Sequence, residues 1–264
     1  MTRVLPLLTQ IAEARSADAV WSLASAHFAS LGFSRAIYGL ARGQRANHWP
    51  DPANRLFLST LGPEFIRTYL ESGSFTRTAL YRWAESNEGA CTWSWIPAAV
   101  AAGEILPHEV EALQQDREMG IVAGITVAFP RFHARTKAAL GLMADVGMTH
   151  EQVDDIWASE KSQILAVAHM MHLCLLQYPA MSTLHRLTQR QREALEWVAD
   201  GKTTQDVALI MGVSPAMVEK HLRLAREALD VDTTAQAIAR AVALNLLFPV
   251  RNTGQTYTKE VGNP

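Results

Sequence analysis

The chain has 264 residues, room for about two domains at roughly 100–200 residues each. A hydrophobic fraction of 48% against 19% charged residues fills real cores and excludes wholesale disorder and a fibrous protein. A net charge of −2 carries no global basic signature, so a nucleic-acid role has to rest on a local patch.

The opening stretch, MTRVLPLLTQIAEARSADAV, soon turns polar and lacks the pattern of a secretory signal. No run approaches the ~18–20 apolar residues of a membrane span, so a cytoplasmic protein without a membrane segment is expected. Periodicity predicts helices over 4–14 and 17–31, the second capped by Ser16 and ended by Gly32. Residues 33–40 (FSRAIYGL) alternate by two, as a strand does. Gly62-Pro63 opens another helix to about Leu70, and Pro107 starts a short acidic helix through Met119. Residues 120–129 (GIVAGITVAF) are β-rich, with 138–144 as a partner strand. Thr149, with Gln152 three residues on, forms a capping box for a long helix to Gln177. Helices flanking a short sheet predict an α/β/α sandwich over 1–178, a sensor-like domain able to enclose a small-molecule pocket. Pro179 stops the long helix, a linker follows at 179–186, and the polar 251–264 reads as a frayed tail.

Between these lies an all-α unit at 187–250, and the fold class is therefore α+β. Thr188 with Gln191 caps a helix that Gly201 ends, and Thr203 with Asp206 caps a second that ends at Gly212. Ser214 caps a third, with Pro215 at its first position, and Thr233 with Gln236 starts a fourth to about Leu247. The Gly212-Val213-Ser214 joint between the second and third helices is a helix-turn-helix arrangement. Val207, Ala208, Ile210 and Met211 are expected to pack on Val218, Leu222 and Ala225. The opposite face of the third helix then presents Glu219, Lys220, Arg223 and Arg226, and such a helix fits the major groove of double-stranded DNA. Arg223 is the candidate for a bidentate contact to guanine, and Glu219 for a cytosine amino group. Lys202, Lys220 and Arg226 are candidate phosphate contacts, joined by free N–H groups at Thr203 and Ser214. The bland alternative is a helical module with a solvated charged face.

Leu187-Thr188-Gln189-Arg190, Gly201-Lys202-Thr203, Asp206-Val207-Ala208, Met211-Gly212-Val213-Ser214 and Val218-Glu219-Lys220-His221-Leu222 resemble the DNA-binding domain of LuxR-type regulators. Of the front ends found with that domain, a phosphorylatable receiver needs an early acidic pair and a strand-end aspartate. Residues 1–60 offer only Asp18 and Asp51. The quorum-sensing branch carries an autoinducer-binding α/β/α sandwich, which the first region matches in length and element order. That resemblance implies a ligand motif: a tryptophan donating to the lactone carbonyl, a tyrosine, an Asp-Pro whose carboxylate accepts from the amide N–H, and a second tryptophan. Here Tyr69 and Trp93 stand at the tyrosine and second-tryptophan positions, Phe65 replaces the first tryptophan, and Thr78-Ala79 replaces the Asp-Pro. Asp51-Pro52 is not a displaced copy, since Ile66 stands where its tryptophan would be. Gly124-Ile125-Thr126-Val127 resembles a later family strand, with Ala128 in place of its proline.

Phenylalanine cannot donate, and threonine accepts only as a neutral group. The candidate ligand residues are thus Phe65, Tyr69, Thr78, Leu80 and Trp93, around either another small, largely apolar, autoinducer-like ligand or none. Core filling by Phe65, Tyr69, Trp83, Trp93 and Trp95 is the plain alternative. Two cysteines, Cys91 and Cys174, make neither a disulfide framework nor a Cys-rich zinc cluster. His169 and His172 share a helix face, but no metal, cofactor or catalytic residue is expected: nucleophile-elbow and phosphate-loop motifs are missing. A homodimer is expected, through Ile156, Ile164, Val167, Met171 and Leu175 of the long helix. The rival function is a ligand-free interaction protein that silences another regulator by forming a heterodimer.

Overall fold

The computed structural model describes residues 4–42, 55–62, 73–131, 136–178 and 187–248. The expected helix at 63–70 and the linker at 179–186 lie outside the described residues, as do Phe65, Tyr69 and the 251–264 tail. The first region opens with α1 (Val4–Glu13) and α2 (Ala17–Ser30). Ser16 caps α2 by accepting from the Ala19 N–H at 3.1 Å, and Gly32, at φ +92°, makes the left-handed turn into the sheet. Then come β1 (Arg35–Arg42), β2 (Arg55–Ser59), a 3-10 turn at Ser74–Arg77, α3 (Ala79–Ser86), β3 (Gly89–Thr92), α4 (Trp95–Ala101) and α5 (Pro107–Glu118). The region closes with β4 (Gly124–Ala128), β5 (Thr136–Met143) and the long α6 (His150–Leu175).

The strands form one antiparallel sheet in the order β2-β1-β5-β4-β3. Register pairs Tyr38 with Leu140 and Ile125 with Leu142, so these alternate residues share one face. That face, with Phe28 and Phe33, packs against α1, α2 and α6 as the main core. The other face meets α3, α4 and α5 around Trp93, Ile96, Ile121 and Met143. An α/β/α sandwich results, as the element order predicts.

One expectation about α6 needs correction. Its apolar stripe is not a free dimer face: Ile164, Val167, Met171 and Leu175 are fully buried in the chain's own core, and Ile156 packs partly buried beside them. Spacing of three and four marks a stripe that must be covered, without saying by what. The α6 histidines are packing groups. His172 shares a 2.8 Å hydrogen bond with Tyr38 and stacks on Phe129 at 4.1 Å, while His169 meets Phe129 edge-on. Among the described residues no group of three His, Cys, Asp or Glu side chains is placed to hold a metal. Buried Arg42, at the end of β1, donates to the carbonyls of Leu175, Leu176 and Tyr178 and so caps the end of α6.

The second region has α7 (Gln189–Ala199), α8 (Thr204–Met211), α9 (Pro215–Ala228) and α10 (Thr234–Ala243). All three expected capping boxes form, at Thr188, Thr203 and Thr233. Val207, Ala208 and Met211 close on Val218, Leu222 and Ala225 as expected. Ile210 does not: it is 46% exposed beside Leu209 at 83%, because an eight-residue helix presents only one face inward. The fourth helix stops at Ala243, short of Leu247.

Candidate ligand cavity and nucleic-acid interface

The second face of the sheet leaves a space of about 130 Å³ under α3 and α5, small beside the ~300–1,000 Å³ of most ligand sites. Its floor is built from small residues on three neighbouring positions, Gly39, Ala139 and Gly141. A Cβ added at Gly141 would meet nothing within 4 Å, so the missing side chain is what opens the space. The walls are apolar, among them Phe57, Phe75, Leu80, Ile121 and Met143.

Of the residues expected from sequence, Thr78, Leu80 and Trp93 all line this cavity. Trp93 is buried, and its indole N–H donates to the Thr126 hydroxyl at 2.9 Å. Gly124 lets that indole in: a Cβ there would come within 2.9 Å of the ring and 2.3 Å of the Leu142 carbonyl. The Thr78 hydroxyl, named from sequence as a neutral acceptor at the family's aspartate position, is engaged within the chain. Its hydroxyl accepts from the Tyr81 N–H at 3.1 Å as the N-cap of α3 and donates to the Phe75 carbonyl at 3.1 Å. Trp83 and Trp95, both half-buried, border a separate groove with Ala79, Ala99 and Ile105, and of the two only Trp95 packs on a hydrophobic cluster among the described residues.

Sequence reasoning missed three polar residues of the cavity, Tyr81, Thr126 and Asp116. Thr126 is buried on β4, where alternation was the signal that faced it away from Ile125 and Val127. Asp116 stands in the last turn of α5, and burial pushes its carboxyl up to about 6. The signal was faint: Glu109, Leu113 and Asp116 follow one another at helical spacing on the inner face, inside a helix whose composition reads as solvated. Glu109 is spoken for, accepting from the Leu106 N–H at 2.8 Å and from Arg82 at 2.7 and 2.8 Å.

On the helical region, α9 presents Glu219, Lys220 and Arg223 to solvent, with Lys202, Thr203 and Ser214 exposed at the adjoining helix starts. The Arg223 guanidinium meets Glu227 one turn on, both side chains more than half exposed. Glu219 accepts from the Thr204 hydroxyl at 2.9 Å. Arg226 is half-buried, its guanidinium donating to Thr234 at 3.0 Å at the start of α10. The Thr203 N–H is not free, because Asp206 accepts it at 3.0 Å in the capping box. Ser214 accepts from the Met217 N–H at 3.3 Å, and Pro215 next to it has no N–H to offer.

The sequence profile of the autoinducer binding domain matches residues 16–175, and that of sigma-70 region 4 matches residues 179–229. The chain belongs to the LuxR-type autoinducer-binding family. LuxR-type proteins are transcriptional regulators, not enzymes, and the chain's relatives include quorum-sensing regulators. One is the regulator RhlR of Pseudomonas aeruginosa, 28% identical over 138 residues, which is 50% of this chain and 54% of that protein. Another is the transcriptional activator AnoR of Acinetobacter nosocomialis, 44% identical over 61 residues, 23% of this chain and 26% of that protein. The chain thus spans between about a quarter and a half of the length of such relatives. Escherichia coli SdiA shares the fold at a TM-score of 0.56 and 15% identity, over 93% of this chain and 98% of SdiA. A second SdiA structure, in complex with octanoyl-rac-glycerol, matches at 0.51 and 15% identity, over 93% of this chain and 95% of that one. No helix among the described residues of this LuxR-type chain is long and apolar enough to cross a membrane.

Proposed function

We propose that the chain is a dimeric regulator that reads double-stranded DNA with α9 and responds to a small, largely apolar ligand rather than to an ordinary acyl-homoserine lactone. The observation that carries this reading is the polar state of an otherwise apolar cavity. The Thr78 hydroxyl already makes two hydrogen bonds, and Phe65 stands where the family pattern has a donor. Losing two buried partners weakens a lactone by about 1–3 kcal/mol each, together a factor of roughly 30 to 10⁴. Phe65→Trp with Thr78→Asp restores both. Aspartate caps a helix as well as threonine does, so α3 survives while a second carboxylate oxygen becomes available. Thermal shift across a panel of acyl-homoserine lactone chain lengths tests this. The expected result is almost no shift for wild type and a shift of several degrees for the double variant. A clear shift of wild type at micromolar lactone overturns the reading.

A second reading, silencing of another regulator by heterodimer formation, draws on the acidic Glu219 and Glu227 along the DNA-facing stripe of α9. An exposed i, i+4 pair such as Arg223–Glu227 contributes only about 0.3–0.5 kcal/mol, so it yields readily to a base contact. A gel shift on the DNA upstream of the chain's own gene separates the readings: a retarded complex supports the regulator, and its absence the silencer.

A further inference from the structure

The cavity holds one strong acceptor that its fold does not use. Asp116 lines it from the end of α5, and among the described residues no side chain donates to its carboxylate. Its backbone is fixed, since its carbonyl accepts from the Met119 and Ile121 N–H groups at 3.1 and 2.8 Å. Arg35 reaches the same turn but donates to the carbonyls of Met119, Gly120 and Ala144 instead. The other polar groups of the cavity have partners. The Thr78 hydroxyl serves the α3 cap and keeps only a neutral lone pair, the Tyr81 hydroxyl donates to Glu85 at 2.9 Å, and the Trp93 indole is held by Thr126. Thr126 accepts that bond and keeps its own O–H for an acceptor. Among the cavity's lining residues, Asp116 therefore offers a charged carboxylate acceptor and Thr126 a hydroxyl donor, with Gly39, Ala139 and Gly141 as the floor.

An unpaired carboxyl in apolar surroundings is costly unless a donor meets it. We propose that Asp116 is the specificity-determining residue of this pocket, accepting a hydrogen bond from a hydroxyl or amide on the neutral head of a ligand whose alkyl or acyl tail lies on the apolar walls. The proposal rests on the reading of the cavity as a ligand site. It moves the acceptor from the start of α3, where Thr78 stands, to the end of α5. A ligand that satisfies it presents its donor to a different wall from the one the family pattern uses.

The test compares two probes with the same eight-carbon acyl chain, 1-octanoyl-glycerol with hydroxyl donors and methyl octanoate with none, by calorimetry on the full chain at pH 7.5. Wild type is expected to bind the glycerol ester at least tenfold tighter. Asp116→Ala is expected to reduce that ratio to near one while leaving methyl octanoate binding unchanged, and Asp116→Asn, which keeps a neutral acceptor, to fall between. Far-ultraviolet circular dichroism of both variants establishes that they fold, and both are expected to melt above wild type because a desolvated charge is gone. Equal binding of the two probes by wild type, or a ratio preserved in folded Asp116→Ala, overturns the role of Asp116 and leaves the pocket standing. Failure of both probes to bind wild type overturns the pocket reading with it.

Discussion

On α9, Arg223 and Lys220 are both exposed; Arg223, with its planar fork, is proposed to read a guanine edge, and Lys220 to contribute charge without shape. Arg223→Ala is expected to remove sequence-specific binding, a loss of about 1–3 kcal/mol in discrimination, with fold and dimer intact. Lys220→Ala is expected to weaken all DNA alike and to flatten the salt slope by about 1. Fluorescence anisotropy over a salt series distinguishes the two outcomes, and unchanged operator affinity of Arg223→Ala removes the assignment. In the sensor region His172 is buried against Phe129 and Tyr38, and burial, with the charges of His169 and Arg42, lowers its pKa from 6.5 to about 4. The folded state then binds fewer protons than the unfolded one between those values. Its contribution to stability is complete above about 6.5 and is lost as pH falls toward 4. Asp116 works in the opposite sense, its raised pKa making the fold less stable as pH rises from about 4 to 6. His172→Gln is therefore expected to be less sensitive than wild type to a drop from pH 7 to pH 5, by about 2 kcal/mol in urea unfolding. Equal sensitivity of the two proteins contradicts it.

At the scale of elements, α6 is the centrepiece of one core. Met171 is fully buried among Val167, Leu175 and the sheet, so Met171→Glu is expected to unfold the sensor region, not to yield a folded monomer. Leu173→Glu, on the 45% exposed face of the same helix, is expected to leave the fold intact. Circular dichroism with sedimentation reads both. A folded, monomeric Met171→Glu protein would return that residue to a subunit interface. The contrast shows what sequence carries. Capping boxes at Thr149, Thr188, Thr203 and Thr233, with Gly32 and Gly212, mark helix ends locally, so the helix-turn-helix region was legible almost element by element. The strands β2 and β3 and helices α3 and α4 were not, because each is four to eight residues long and too short for a period to stand out. Trp93, Thr78 and Leu80 reached the cavity because family spacing placed them there. Asp116 did not, because whether a carboxylate on an acidic helix faces water or a cavity is decided by tertiary packing.

At the scale of the whole molecule, a LuxR-type sensor domain with a small apolar cavity stands before a helix-turn-helix region proposed to read DNA. Paired helix-turn-helix units bind half-sites about one DNA turn apart, so a dimer and a two-fold repeated operator are expected together. The proposed ligand response, dimer and reading role of α9 matter to function only if that operator exists. The most direct measurement is selection of bound fragments from a random double-stranded DNA pool by the full chain purified from its own host, with affinity then measured on the enriched sequence. The account predicts an inverted repeat with half-site centres about 10 base pairs apart, bound at least about 10³ times tighter than unrelated DNA and lost in Arg223→Ala. Folded, dimeric protein that enriches no sequence at all would contradict it.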